Sequence, residues 1–174
     1  YLSPLQVMWN SLRFALATVA ISLVVGTIVA YFLARKGGRG KSIPDALFML
    51  PLGVSAVTLG FGFIVALNRP PLDLRGSWVI LVIAHSLVAY PFVIRSLLPV
   101  LRAMPPSLRE AAAVMGASPA RAFVFIDLPI IAPALLVGAT FAFAISMGEF
   151  GASLLLVRPE FTTMPVAIFR FLGQ

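Results

Sequence analysis

Of 174 residues, 60% are apolar and only 11% charged, whereas a soluble domain carries about 25% charged residues and is at most about half apolar. A chain of this size encloses too little interior to hide that apolar surface from water, and its mean hydropathy of +1.03 points to a bilayer instead. The 13 Lys and Arg against 6 Asp and Glu leave a formal charge of +7, which in a membrane chain reports topology; no basic cluster with interleaved aromatics suggests nucleic acid as a partner.

From Tyr1 onward there is no basic stretch, short apolar region and small-residue cleavage site of the kind that marks a signal peptide, and the segment reads as part of something longer. Residues 14–34 are free of charge and long enough for the about 20 residues that cross the hydrocarbon. A basic loop follows with Arg35, Lys36, Arg39 and Lys41. Its run Gly37-Gly38-Arg39-Gly40-Lys41-Ser42 ends like a phosphate-binding P-loop, but the first glycine of that motif is replaced by Arg35, and the motif belongs between a strand and a helix. ATP is therefore not expected to bind here. Residues 46–67 form a second apolar run, 78–94 a third, and 130–148 a fourth, none with the period-2 alternation of barrel strands. Pro51 and Pro91 lie within spans, where each removes a backbone donor and predicts a kink. Gly60 and Gly62, and the series Gly138, Ala142, Ser146 at intervals of four, predict close helix packing. The expected class is an all-α, polytopic transmembrane bundle forming one domain over residues 1–174, with a further span expected after Gln174.

Alternating crossings place Arg35, Lys36, Arg39, Lys41, Arg95, Arg102, Arg109 and Arg121 on one side, and Arg13, Arg69, Arg75, Arg158 and Arg170 on the other. The positive-inside bias makes the first side cytoplasmic.

Residues 95–129 form the long cytoplasmic connection and read as two short helices. Pro105 and Pro106 end what precedes them, and Ser107 stands three residues before Glu110, the spacing of a capping box. The first helix is thus expected to start near Leu108. Gly116 is suited to a left-handed helix stop; Ser118 and Pro119 offer an N-cap and N1 residue for the second helix. Leu108, Ala111, Ala112 and Met115 share one helical face, and Phe123, Ile126 and Ile130 another. Pro129 and Pro133 stand at the entrance of the fourth span.

Glu110-Ala111-Ala112, three residues, Gly116, nine residues, then Ile126-x-Leu128-Pro129 resembles the EAA motif of the permease subunits of binding-protein-dependent ABC importers. The span pattern and the stretch Gly148-Glu149-Phe150-Gly151 are similar to permeases of the ferric iron, thiamine and oxyanion groups, with a lean toward ferric iron or thiamine. The resemblance implies that Glu110, Ala111, Ala112, Gly116, Ile126, Leu128 and Pro129 lie on coupling helices docked on separate ABC ATPase subunits, which bind the ATP. It further implies a second permease copy or homologous half, an extracytoplasmic substrate-binding protein, surrounding lipid, and residence in the cytoplasmic (inner) membrane. Glu110 on its own could equally be a capping carboxylate.

His85, the single histidine, has no acidic neighbour in sequence, so a neutral, hydrogen-bonded packing role is expected rather than metal ligation or base catalysis. Glu149 falls near the outer end of the fourth span; lining or gating the translocation pathway and structural anchoring are both open. No cysteine is present, which excludes thiolate metal sites and Cys nucleophiles, and no hydroxyl, base and acid constellation suggests an enzyme. The competing reading, a self-contained secondary transporter or channel, calls for ionisable residues in mid-span; only His85 and Glu149 qualify.

Overall fold

The computed structural model describes residues 3–35, 42–67, 74 and 76–173. The glycine-rich run with Lys36, Arg39 and Lys41, as well as Arg69, Arg75 and Tyr1, lie outside the described residues. Every regular element among the described residues is helical. Among the described residues, three helices are long and apolar enough to cross a membrane: α1 (Pro4–Arg35), α4 (Val79–Ala103), and a continuous 30-residue helix over Pro119–Gly148. The last is built from α6 (Pro119–Ala122), a π-helical turn (Phe123–Asp127) and α7 (Leu128–Gly148).

The run at 46–67 is not one straight helix. It is α2 (Ser42–Met49), a 3₁₀ turn (Leu50–Gly53) and α3 (Ala56–Ala66), bent by 100°. Pro51 at the start of the 3₁₀ turn withdraws a helical donor, and Ser55 is extended. The pair nevertheless runs from one end of the bundle to the other. Asp45 in α2 pairs with Arg102 at the end of α4 at 2.8 Å, while Phe63, Ile64 and Leu67 pack with Phe14, Ile80 and Leu81 at the opposite end. Counted as one broken span, the pair adds a fourth crossing to the three among the described residues.

Other boundaries shift for identifiable reasons. Arg13 does not delay α1, because its guanidinium lies over the Phe14 ring, 4.9 Å from the centroid; the helix starts at Pro4, where a first-turn proline is tolerated. Arg95 does not end α4, since it faces outward while Leu97, Leu98 and Leu101 continue the buried stripe to Ala103. α4 also runs unbroken through Pro91 and Pro99. The second short helix of the connection is not separate from the fourth span. Pro129 cannot donate to the Phe125 carbonyl, and the chain answers with a wider turn in which Leu128 N–H donates to the Phe123 carbonyl instead of breaking.

α1, α4 and α7 pack pairwise to form the core. Their tightest meeting point is Val93: a Cβ on Gly26 of α1 would stand 2.7 Å from the Val93 Cβ, and one on Gly138 of α7 would stand 3.2 Å from its Cα. The expected face of Gly138, Ala142 and Ser146 is buried as a set. Gly60 and Gly62 divide: two positions apart on a helix they point to different sides. Gly60 is buried against Ala152 of α8 (Gly151–Leu156), and Gly62 is exposed with open space around it. The added methyl of Gly60→Ala would lie 2.9 Å from the Ala152 Cα, so the variant is expected to lose roughly 1 kcal/mol or more through overpacking. Thermal unfolding in detergent checks this. Ala152→Gly is not expected to restore the loss, because the obstructing atom is backbone.

Candidate functional site

At the Arg35 end of the bundle, α5 (Ser107–Val114) and α6 join α4 to α7. α5 begins one residue earlier than the capping box requires. The Glu110 N–H bonds to the Pro106 carbonyl at 3.2 Å, Pro106 is the N-cap, and no side-chain cap forms. Ser107 is therefore already inside the helix, and the Ser107–Glu110 box is absent. Glu110 is exposed, and its carboxylate has no hydrogen-bond or ion-pair partner among the described residues.

The helix stop is as the sequence suggested. Gly116 has φ +79°, the one positive φ among the described residues, with Gly116 N–H donating to Ala113 O (3.0 Å) and Ala117 N–H to Ala112 O (2.9 Å). These two bonds form a Schellman stop. Ser118 is extended and its Oγ accepts from Arg121 N–H at 3.4 Å, with Pro119 next. Of the expected face on α5, Ala112 is buried, whereas Leu108, Ala111 and Met115 are exposed. Val114 at 89% and Met115 at 80% exposure stand out furthest. Gly116, Leu128 and Pro129 are exposed and Ile126 half-buried. Six of the seven EAA-motif positions thus lie at or near this surface.

What holds α5 is a pair the sequence reading did not single out. Arg109 donates from Nε to Asp127 Oδ1 (3.1 Å) and from Nη2 to Oδ2 (2.6 Å), a two-pronged bond of the kind that fixes orientation. The Asp127 hydrogen bonds push the Arg109 pKa further up, so the guanidinium stays charged. It also lies 5.5 Å from the Tyr31 ring centroid, and Tyr31 in turn meets Phe123 at 5.9 Å. Between α1 and this segment is a cavity of about 650 Å³ walled by Tyr31, Arg35, Arg109, Phe123 and Asp127. Packing alone therefore does not seat α5. An arginine beside the motif glutamate and a lone aspartate before Leu128-Pro129 are the signals that could have found the pair.

At the opposite end, Glu149 and His85 come together. Glu149 Oε1 accepts from Ala152 N–H (3.1 Å) and Oε2 from Ser153 N–H (3.0 Å), so the carboxylate caps α8. His85 lies between two hydroxyls, Nδ1 to Ser146 Oγ and Nε2 to Ser153 Oγ, each at 2.8 Å, and its Nε2 is 3.6 Å from Glu149 Oε2. All four side chains are buried. The expected hydrogen-bonded packing histidine is what the geometry shows, with an acidic neighbour that linear distance concealed. Among the described residues there is no group of three or more His, Asp and Glu that could hold a metal ion.

A bundle of crossing helices with a capped surface segment between two of them defines a multi-pass membrane protein. Residues 22–172 match the family described as "Binding-protein-dependent transport system inner membrane component". The chain is 34% identical over 93% of its length to the molybdenum transport system permease protein ModB of Haemophilus influenzae, covering 77% of that protein. It is 35% identical over 87% of its length to the molybdate/tungstate transport system permease protein WtpB of Pyrococcus abyssi. With a putative 2-aminoethylphosphonate transport system permease protein, PhnV of Salmonella typhimurium, it shares 28% identity over 91% of the chain. It spans 60% of the length of each of these last two. The chain belongs to the binding-protein-dependent transport family: it is a membrane-embedded, multi-pass permease subunit of the class that forms a translocation pathway in the inner membrane.

Proposed function

We propose that the chain is the transmembrane part of an ATP-driven importer in which the Arg35 end is cytoplasmic and α5 with Gly116 docks on a separate ABC ATPase. The observation that carries this reading is α5 itself: a stopped, ion-paired helix that exposes Glu110, Ala111, Val114 and Met115 instead of burying them. An exposed apolar and small-residue patch suits a partner groove, and a helix tied to the start of the 30-residue helix Pro119–Gly148 can pass a rigid-body push into it. Glu110, Ala111, Gly116, Ile126, Leu128 and Pro129 form the coupling surface, with Ala112 buried behind it, within a coupling segment that spans 95–129 of a single permease domain. Glu149 belongs to the end of the pathway facing the extracytoplasmic binding protein, and a second permease copy or homologous half completes that pathway.

The substrate we assign is a tetrahedral oxyanion. The relatives named above are named for molybdenum, molybdate/tungstate and 2-aminoethylphosphonate, which favours the oxyanion group over ferric iron and thiamine.

A cysteine at Val114 tests the docking, since the chain has none of its own. In the full-length parent co-expressed with its ATPase, Val114→Cys is expected to cross-link to that subunit, and Leu155→Cys on α8 is not. Labelling of Val114→Cys from outside intact cells would reverse the orientation and remove the ATPase contact. Because no capping box forms, Glu110→Gln isolates the charge, and we expect weaker co-purification of the ATPase with an unchanged melting temperature.

A further inference from the structure

We propose that His85 is a positioning residue that locks α8, and with it α3, to α4 and α7 at the extracytoplasmic end, so that this end opens only when the lock yields. The proposal rests on the importer reading for its functional half and on the geometry alone for its structural half.

α3 and α8 form one unit. A Cβ on Gly60 would lie 2.9 Å from the Ala152 Cα, and one on Gly151 would lie 3.0 Å from Ala56 Cβ and 3.1 Å from Val57 N. The two helices therefore touch backbone to backbone. At its other side α3 follows the 100° break, which gives no continuous rod to hold it in place. The unit meets the rest of the bundle through apolar contacts of Ala152 and Leu156 with Phe14, Ile80 and Leu81, and apolar contact is not directional.

Direction comes from the imidazole. His85 on α4 is 1% exposed and spends both ring nitrogens on the lock: one on Ser146, in the last turn of α7, and one on Ser153 in α8. In either neutral tautomer one ring nitrogen donates and the other accepts, so both hydroxyls can pair with the ring, and the Glu149 carboxylate lies on its Nε2 side. The neutral ring thus ties three helices, and Glu149, by capping the N–H groups of Ala152 and Ser153, keeps α8 wound in the register that presents Ser153. In hydrocarbon surroundings water does not readily replace these bonds, so the lock favours a single arrangement. Its separation into two bodies, α3–α8 and α4–α7, is a ready path for opening.

The test uses the full-length parent assembled with its ATPase in lipid nanodiscs, spin-labelled at Leu155 on α8 and Val137 on α7, both exposed in this chain. The distance distribution is expected to be single and narrow without nucleotide. One intramembrane hydrogen bond biases a two-state population by about threefold, so Ser153→Ala is expected to raise a second, longer population about threefold. His85→Leu, which removes both bonds, is expected to raise it about tenfold, with ATP hydrolysis less dependent on the binding protein. His85→Gln, which keeps a donor and an acceptor, is expected to restore most of the narrow distribution. If His85→Leu does not reach the membrane, Ser146→Ala and Ser153→Ala decide the matter. Unchanged distances in these variants overturn the lock. Changed distances with ATP-driven uptake and its dependence on the binding protein intact overturn its gating role. Failure of the wild-type assembly to take up any substrate counts against the importer reading instead, because the distances are measured independently of uptake.

Discussion

Arg109→Leu is expected to detach α5 from the bundle and to abolish co-purification of the ATPase. The substitution leaves the Asp127 carboxylate, 3% exposed, without its cation. Removing one partner of a fully buried pair costs about 3–5 kcal/mol; the Arg109 side chain is 35% exposed, so water screens part of that and about 2 kcal/mol is the appropriate scale. The cavity behind the segment gives α5 nothing to settle against once the pair is gone. Asp127→Leu is expected to be milder, since the guanidinium can turn to water. The double variant Arg109→Leu/Asp127→Leu is expected to regain stability without regaining coupling, because it removes the buried charge but not the need for a fixed orientation. Melting temperature and ATPase co-purification, measured on all three, separate the two effects. A single Arg109→Leu variant that retains both at wild-type levels would show that packing holds α5 after all.

Gly116→Val is expected to leave the protein in the membrane and to eliminate uptake. At φ +79° a side chain costs about 1–2 kcal/mol and a β-branched one more, although nothing lies within 4 Å of the position an added Cβ would take. The penalty is thus wholly conformational. It is relieved by turning the backbone, which breaks the bonds from Gly116 N–H and Ala117 N–H and redirects α6 away from α5. Gly116→Asn, which tolerates the left-handed region, is expected to retain part of the uptake. Substrate accumulation in vesicles of the assembled parent supplies the measurement, and wild-type accumulation by the valine variant would remove Gly116 from the coupling path.

The parts of this architecture that were legible beforehand are those written in contiguous residues. Charge-free runs mark the crossings, Gly116 and Ser118-Pro119 mark the turn, and the EAA spacing marks the family. Boundaries were less legible because Arg13 and Arg95 can leave the helix axis for a ring face or for the outside without ending the helix. The capping box failed on a one-residue question, whether Pro106 or Ser107 stands at the N-cap, and two consecutive prolines do not decide it. The interactions that organise the two ends were hidden by distance along the chain: 18 residues separate Arg109 from Asp127, 61 separate His85 from Ser146 and 68 separate it from Ser153. Glu149 illustrates the limit well. Its depth follows from helix rise, but the two amide protons it receives are free only because α7 ends at Gly148 and a new helix starts at Gly151.

The glycine seat around Val93 bears on how cheaply the bundle closes. In lipid the tails are as oily as the side chains, so helices are not squeezed together by water and must meet on dispersion and on whatever disorder they avoid losing. Gly26 and Gly138 bring no rotamers to the contact, and valine is already nearly frozen about its first torsion. Three helices therefore converge while almost no side-chain freedom is surrendered. A junction of that kind holds α1, α4 and α7 as one body without drawing on side-chain entropy, which fits the proposed opening between α3–α8 and α4–α7.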